Sequence, residues 1–149
     1  MSGDFLDSNV FVYLFDETDE RKRDAAEKIV NSALQTKNAG ISFQVVQETL
    51  NVVTRKVAAP MTAEGAKNFM EEVLRPLWRV SPSPTLYNRA LDVQARYQYG
   101  FYDSLIIAAA LDAGCARLYS EDFQDGQRIE GLTIENPFLE GTETVTDPP

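Results

Sequence analysis

The stretch FYDSLIIAAALDAGCARLYSED, residues 101–122, carries the signals that decide the fold. Its seven consecutive apolar residues, 105–111, suit a buried helix and are far fewer than the roughly 18 that a membrane span requires. Gly114 stands where a glycine commonly follows a helix C-terminus. A strand pattern at residues 115–119 comes next, and the acidic turn 120–122 follows it directly. The stretch therefore predicts a buried helix that leads into a strand.

The alternation of helix and strand continues over the rest of the chain. The predicted strands comprise residues 5–6, 39–42, 77–80, 115–119 and 132–134. The predicted helices comprise residues 10–15, 21–35, 43–57, 62–75, 85–97 and 102–113. Strands that alternate with helices predict an α/β domain with a mostly parallel sheet. The length of 149 residues fits one domain, residues 1–140, and the acidic residues 141–149 predict a disordered tail.

The composition excludes several classes of enzyme and binding protein. The chain has 23 acidic and 14 basic residues, no histidine and a single cysteine, Cys115. A Ser-His-Asp triad, an HExxH zinc site, a zinc finger and a disulfide framework are therefore excluded. The chain shows no signal peptide and no membrane span, so we expect a cytoplasmic protein. Catalysis at neutral pH would depend on carboxylates, together with a cation that prefers oxygen ligands.

Four of the acids occupy positions that are unusual for solvated charge. Asp7 closes the first strand, and Asp122 follows the strand 115–119. Asp103 opens the most apolar helix, and Glu48 projects from an apolar stripe of its helix. In a parallel α/β sheet, ligands bind at the carboxyl ends of the strands. The four acids are therefore predicted to converge on one rim of the sheet.

Each of the four acids also has a purely structural interpretation. Asp7, Asp103 and Asp122 could be helix N-caps or turn residues. Glu48 could form a salt bridge with a neighbouring arginine, because a buried carboxylate without a partner is costly. Crowded carboxylates raise one another's pKa, and a divalent cation is the simplest partner that would keep them ionised. Carboxylates and water suit Mg²⁺ or Mn²⁺, which predicts metal-assisted hydrolysis of a phosphodiester.

Four motifs, in order and at suitable spacing, resemble those of the PIN-domain nucleases. They are DSNV at 7–10, QVVQE at 44–48, FYDSLIIAAA at 101–110 and YSEDFQDG at 119–126, and the closing IENPF at 134–138 is also similar to the family. The resemblance covers about residues 4–138. It implies a three-layer α/β/α sandwich with a mostly parallel central sheet, and an endoribonuclease that depends on Mg²⁺ or Mn²⁺.

The resemblance also implies a catalytic and metal-binding set of four acids, with three supporting side chains. The acids are Asp7, Glu48, Asp103 and Asp122, and the supporting residues are Ser120, Asn9 and Asp125. Compact members of the family resemble VapC-type toxins of toxin–antitoxin pairs. That resemblance implies a homodimer which is held inactive by a small antitoxin protein whose segment enters the active-site groove.

Two adjacent basic clusters are the candidates for holding RNA phosphates. They are Arg21–Lys22–Arg23 and Arg55–Lys56, and for both a solvated helix face is the alternative interpretation. Two rival functions are kept. A non-catalytic interaction module could use the acidic rim to bind a basic partner. A haloacid-dehalogenase-like phosphatase would use Asp7 as its nucleophile, although it would need a second aspartate where Asn9 stands.

Overall fold

The structure is a computed structural model that describes residues 3–139. The strands are β1 (Gly3–Leu6), β2 (Ala39–Ser42), β3 (Trp78–Val80), β4 (Cys115–Tyr119), β5 (Arg128–Ile129) and β6 (Leu132–Glu135). The α-helices are α1 (Ser8–Val12), α2 (Glu20–Thr36), α3 (Phe43–Arg55), α4 (Ala63–Phe69), α5 (Pro84–Tyr97) and α6 (Phe101–Asp112). The acidic tail predicted at 141–149 and the predicted domain boundary at residue 140 lie outside the described residues.

The strands form one sheet in the order β3-β2-β1-β4-β6-β5. All neighbouring pairs are parallel except β5 with β6. The chain moves outward from β1 to β2 and β3, and then crosses back to β4 on the other side of β1. The direction of winding therefore reverses between β1 and β4, which is where an α/β sheet opens a crevice at its carboxyl edge.

Helices cover both faces of this sheet. Because parallel crossovers are right-handed, the helices that follow β1 and β2 lie on one face, and α5 and α6 lie on the other. In agreement, α2 packs against β2, and α6 packs against β2 and β4. The predicted three-layer α/β/α sandwich with a mostly parallel sheet is confirmed.

The apolar run predicted to form a buried helix lies at the centre of the core. Every residue of α6 from Ser104 to Ala110 is buried. Phe5 and Leu6, neighbours in β1 that face opposite sides of the sheet, are both buried, as expected for a strand that is covered on both faces, and Leu118 of β4 is also buried. Over residues 3–139, none of the helices combines the length and the apolar character needed to cross a bilayer.

The predicted helix over 62–75 begins as expected but does not end before Pro76. Thr62 caps α4, since its hydroxyl oxygen accepts a hydrogen bond of 3.1 Å from the backbone N–H of Gly65. Beyond α4 the chain winds on through a π-helical turn, Met70–Leu74, and a 3₁₀ turn, Arg75–Leu77. Pro76 is tolerated because the first turn of a new helical segment needs no N–H donor. Leu77 therefore belongs to this turn and not to β3.

Other predicted boundaries move by one to three residues. The first helix starts at Ser8, two residues earlier than predicted, and continues after Val12 as a 3₁₀ turn. The helix predicted to end at residue 57 stops at Arg55. Pro84, predicted to lie in a turn, is the first residue of α5, and Ser83 caps that helix.

The two-residue strand β5 was absent from the sequence-based prediction. It forms a tight hairpin with β6, and Glu130 in the connection adopts a positive φ of 55°. A strand of two residues is too short to show an alternating pattern, so only its pairing with β6 defines it.

Candidate active site

Asp7 lies at the end of β1, beside the point where the winding of the sheet reverses. The residue is only 2% exposed. The Ser120 hydroxyl donates to Oδ2 of Asp7 at 2.7 Å, and the backbone N–H of Ser8 donates to Oδ1 at 2.8 Å. Asp7 is also the N-cap of α1. The structural interpretation of this residue is therefore correct, and it is compatible with a role in a site.

Ser120 joins the ends of β1 and β4 in one hydrogen-bond network. It is fully buried, and its hydroxyl oxygen accepts from the backbone N–H of Asp122 at 3.1 Å. The side-chain amide of Asn9 reaches across from α1. It donates to the Ser120 hydroxyl at 3.4 Å and to Oδ2 of Asp122 at 3.3 Å. Four predicted site residues, Asp7, Asn9, Ser120 and Asp122, are thus brought together.

Glu48 approaches the same network from α3. Its half-buried carboxylate accepts from the Ser8 hydroxyl at 3.2 Å and from the side-chain amide of Gln44 at 3.2 Å. The alternative interpretation, a salt bridge between Glu48 and an arginine, is wrong for the described part of the chain. Its partners are neutral donors, which orient the carboxylate and leave its charge uncompensated.

Asp103 and Asp122 form the exposed side of the rim. Asp103 lies in the first turn of α6, but Gly100 is the N-cap of that helix, so the N-cap interpretation of Asp103 is wrong. Asp122 precedes no helix and lies in a bend after β4, so only the turn interpretation applies to it. The two carboxylates are near enough that the charge of Asp122 helps to raise the pKa of Asp103, although burial is the larger cause.

The electrostatics of the rim are those of an uncompensated negative cluster. Burial raises the pKa of Asp7 to about 7, against the hydrogen bonds from Ser120 and Ser8, which lower it. The charges of Asp122 and Glu48 raise the pKa of Asp7 further. Within residues 3–139 none of the four acids forms a salt bridge. A buried carboxylate among like charges, without a counter-cation, fits a divalent metal ion in its donor chemistry.

The positions of these side chains do not by themselves define a metal-binding cage. Among the residues that the structure describes, no group of three or more acidic side chains lies close enough to hold an ion as placed. The buried Asp7 and the half-buried Glu48 have hydrogen-bonded orientations, whereas Asp103 and Asp122 are exposed and Asp122 accepts one hydrogen bond, from Asn9. The donor set therefore fits a metal chemically, and holding one ion in common would require side chains of the set to move from these positions.

The remaining predicted site residues have other contacts. Asp125 accepts a hydrogen bond of 2.8 Å from the backbone N–H of Asn136, which links the loop after β4 to the residue that follows β6. Arg21 donates to the backbone carbonyl of Phe138 at 2.9 Å, and Arg23 donates to that of Asp16 at 3.3 Å.

Lys22 also has partners inside the protein. Its ammonium group donates to the Tyr13 hydroxyl at 3.1 Å and lies 3.5 Å from a carboxylate oxygen of Glu121. All three side chains of the first basic cluster, Arg21–Lys22–Arg23, therefore have hydrogen-bond or ion-pair partners within the protein. Arg55 and Lys56, in contrast, are exposed at the C-terminal end of α3.

Two polar residues of the site, Ser8 and Gln44, were not among the predicted site residues. Both occur inside the quoted motifs only as neighbours of an acid. For Gln44 a signal existed, because residues four apart on a helix face each other and Gln44 precedes Glu48 by that spacing. For Ser8 the sequence holds no such signal, since its partner Glu48 lies 40 residues away.

Comparison with known proteins places this chain in a family. The PIN domain family model matches residues 5–127 of the chain. No curated protein sequence matches the chain. Because the family model spans well over half of the chain, it establishes membership, and the solved structures below add a comparison of the fold.

Three solved structures are similar to this chain in fold. The toxin–antitoxin complex from Klebsiella pneumoniae matches with a TM-score of 0.63 and 16% identity, over 91% of this chain and 98% of that one. DNA-bound VapBC from Salmonella typhimurium matches with a TM-score of 0.61 and 22% identity, over 92% of this chain and 99% of that one. Mycobacterium tuberculosis VapC20, a sarcin–ricin loop cleaving toxin, matches with a TM-score of 0.58 and 20% identity, over 80% of this chain and 90% of that one. The resemblance found in the four motifs is confirmed, and the chain belongs to the PIN domain family.

Proposed function

We propose that this PIN domain is an endoribonuclease that hydrolyses RNA phosphodiester bonds with Mg²⁺ or Mn²⁺, and that it is the toxin of a toxin–antitoxin pair. Family membership supports a nuclease, and with it the hydrolase class. The observation that carries the proposal is the buried Asp7 carboxylate, whose pKa is raised to about 7 beside two further acids and no counter-cation. An ionised carboxylate in such a place destabilises the folded protein unless it binds a cation.

The residues of the rim would divide the chemistry between them. Asp7 and Glu48, with Asp103 and Asp122, would hold the ion. A divalent ion bound there would orient and acidify a water and polarise the phosphoryl group. Ser120 and the backbone of Ser8 keep the Asp7 carboxylate in one orientation.

The other sites of contact with RNA follow from exposure. Asp103 and Asp122 line the solvent-facing side, and substrate would reach them first. Arg55 and Lys56 are the exposed adjacent cations proposed to contact RNA phosphate, since the side chains of the other basic cluster contact the fold.

The toxin assignment adds two partners to the proposal. The similar structure from Klebsiella pneumoniae is a toxin–antitoxin complex, and that from Salmonella typhimurium is VapBC bound to DNA. By analogy we propose a small antitoxin protein as inhibitor and a homodimer as the toxin's own assembly. A short reading frame beside this gene, whose product co-purifies with the chain and suppresses cleavage, would support the antitoxin. Its absence would contradict the toxin role and leave the nuclease role intact.

The decisive experiment is a cleavage assay on purified protein. End-labelled structured RNAs are incubated with Mg²⁺, with Mn²⁺ or with EDTA, in parallel with the Asp7→Asn variant. We expect cleavage only by the unmodified protein with metal. Cleavage that persists in EDTA or in Asp7→Asn would contradict the proposed site.

The rival functions have different outcomes in this assay. A protein that cleaves none of the RNAs with either metal would favour the non-catalytic interaction module with an acidic rim. The phosphatase alternative finds no support, because Asn9 stands where that chemistry needs an acid, and its side chain donates hydrogen bonds to Ser120 and Asp122.

A further inference from the structure

Gln44 lies in α3, the helix of Glu48, and forms a hydrogen bond to α6, the helix of Asp103. Its side-chain N–H₂ donates to Oε2 of Glu48 at 3.2 Å and to the backbone carbonyl of Tyr102 at 3.1 Å. Tyr102 is the residue before Asp103, in the first turn of α6. One amide nitrogen therefore contacts both the carboxylate of Glu48 and the backbone that carries Asp103.

The orientation of the Gln44 amide is defined by its partners. A carboxylate oxygen and a backbone carbonyl are both acceptors, so only the NH₂ end of the amide can face them. The amide oxygen, Oε1, is consequently left without a hydrogen-bond partner among the described residues. The side chain is only 4% exposed, so water cannot readily replace that partner.

Such an arrangement is unfavourable for the fold alone. A buried amide with an unpaired oxygen is destabilising, whereas an apolar side chain of similar length would remove the unpaired group. The two acceptors would lose little, because the half-buried Glu48 keeps its hydrogen bond from Ser8 and the Tyr102 carbonyl lies in a helix. Folding therefore gives no reason to prefer glutamine over methionine at this position.

We infer that Gln44 is a positioning residue, which holds the Glu48 carboxylate in register with the start of α6 so that Glu48 and Asp103 can act on the same ion. The inference rests on the proposed nuclease function. Ser8 fixes the other oxygen of Glu48, so the two donors together determine the direction of that carboxylate. Without Gln44, only the Ser8 hydroxyl orients the Glu48 carboxylate, and the hydrogen bond between α3 and the start of α6 is lost.

The test compares Gln44→Met with Gln47→Met, a matched change at an exposed glutamine of the same helix. Two quantities are measured: the Mg²⁺ concentration that gives half-maximal RNA cleavage, and the melting temperature with and without Mg²⁺. For Gln44→Met we expect a requirement for about 10- to 100-fold more Mg²⁺ and a reduced Mg²⁺-induced rise in melting temperature. The metal-free melting temperature should be unchanged or higher. Gln47→Met should match the unmodified protein in every measurement.

Gln44→Glu is the second variant, since it keeps the shape of the side chain and removes the donor. It should shift the Mg²⁺ requirement in the same direction as Gln44→Met. An unchanged Mg²⁺ requirement in both variants would overturn the inference. So would a metal-free melting temperature of Gln44→Met several degrees below that of the unmodified protein, because Gln44 would then serve the fold; Gln44→Glu is excluded from this criterion, since it buries a new charge beside Glu48.

The failure of the inference and the failure of the proposed function give different results. An unmodified protein that cleaves no RNA would refute the nuclease function. In that case the Mg²⁺-induced rise in melting temperature still reports on Gln44, because it requires binding and no turnover. Normal cleavage by the unmodified protein, with loss in Asp7→Asn and unchanged behaviour of both Gln44 variants, would reject the inference alone.

Discussion

The two sides of the acidic rim differ in the burial and hydrogen bonding of their carboxylates. On the β1–β4 side, Asp7 and Ser120 are buried and hydrogen-bonded to each other. The exposed side comprises Asp103 of α6 and Asp122 of the loop after β4, whose side chains are both exposed. The buried side is pre-oriented at a cost in desolvation, whereas the exposed side costs the fold little and can adjust its side chains.

This difference teaches that the same residue type has opposite effects on stability at one site. Removing the charge on the buried side should relieve the fold and abolish activity. Removing it on the exposed side should change activity and leave the fold as it is. Stability and activity, measured together on each variant, therefore separate the two sides.

Asp7→Asn should have the largest effect. We expect RNA cleavage to fall by about 10³–10⁴, as when one member of a catalytic set is removed. The metal-free variant should nevertheless be more stable than the unmodified protein at pH 8. Since the pKa of Asp7 is about 7 folded against 3.8 in its unperturbed state, the ionised form is disfavoured by folding.

The pH dependence gives the sign of that effect. Below pH 3.8 the carboxyl is protonated in both states and the penalty is absent. It grows as the pH rises from about 4 and is complete above about 7. The advantage of Asp7→Asn in melting temperature should follow the same course, measured without metal from pH 4 to pH 8. A variant less stable than the unmodified protein at pH 8 would contradict this account.

Asp103→Asn and Asp122→Asn test the exposed side. Each should lower kcat/KM for RNA by about 10²–10³, since a carboxylate proposed to hold the ion is lost. Each should change the free energy of unfolding by less than about 0.5 kcal/mol, as is usual for exposed positions. Urea denaturation measures the second quantity. A loss of 2 kcal/mol in either variant would show that the two sides are not as different as their exposure indicates.

Ser120→Ala tests the hydrogen bonds of the buried side, and Ser104→Ala is its matched control. Both serines are fully buried, but Ser120 has several partners and the Ser104 hydroxyl has none among the described residues. We expect Ser120→Ala to cost about 1–3 kcal/mol of stability and to lower activity. Ser104→Ala should be neutral or stabilising in the same urea experiment. An equal loss of stability in the two variants would mean that packing, and not hydrogen bonding, determines the contribution of Ser120.

The two basic clusters should show the smallest effects. Arg55→Ala and Lys56→Ala should each raise the KM for RNA a few-fold. Each should also make the slope of log binding constant against log salt concentration less steep by about 0.7 per lost phosphate contact. Lys22→Met should leave the salt dependence unchanged and cost about 1 kcal/mol or less, because its ion pair with Glu121 is partly exposed. The reverse pattern would identify the first cluster as the RNA contact.

Much of the candidate site could be proposed from the sequence because its acids stand next to strong local signals. Asp7 follows an apolar strand, Asp103 opens an apolar helix, and Asp122 follows β4. The network around them could not be predicted. Ser8 and Glu48 are 40 residues apart, Gln44 and Tyr102 are 58 apart, and Asn9 and Asp122 are 113 apart. No local pattern reports which donor meets which acceptor over such separations.

By itself, the sequence determined the alternation of helices and strands apart from β5, the buried run in α6 and the absence of histidine chemistry, because these depend on local composition and periodicity. Only the tertiary structure decided that β5 exists, that the helical winding continues through Pro76, and that Asp7 is buried while Asp103 is exposed. It also decided that Gln44 bridges two helices. Strand pairing, burial and long-range hydrogen bonds depend on which segments meet after folding, and that information is shared among distant parts of the chain.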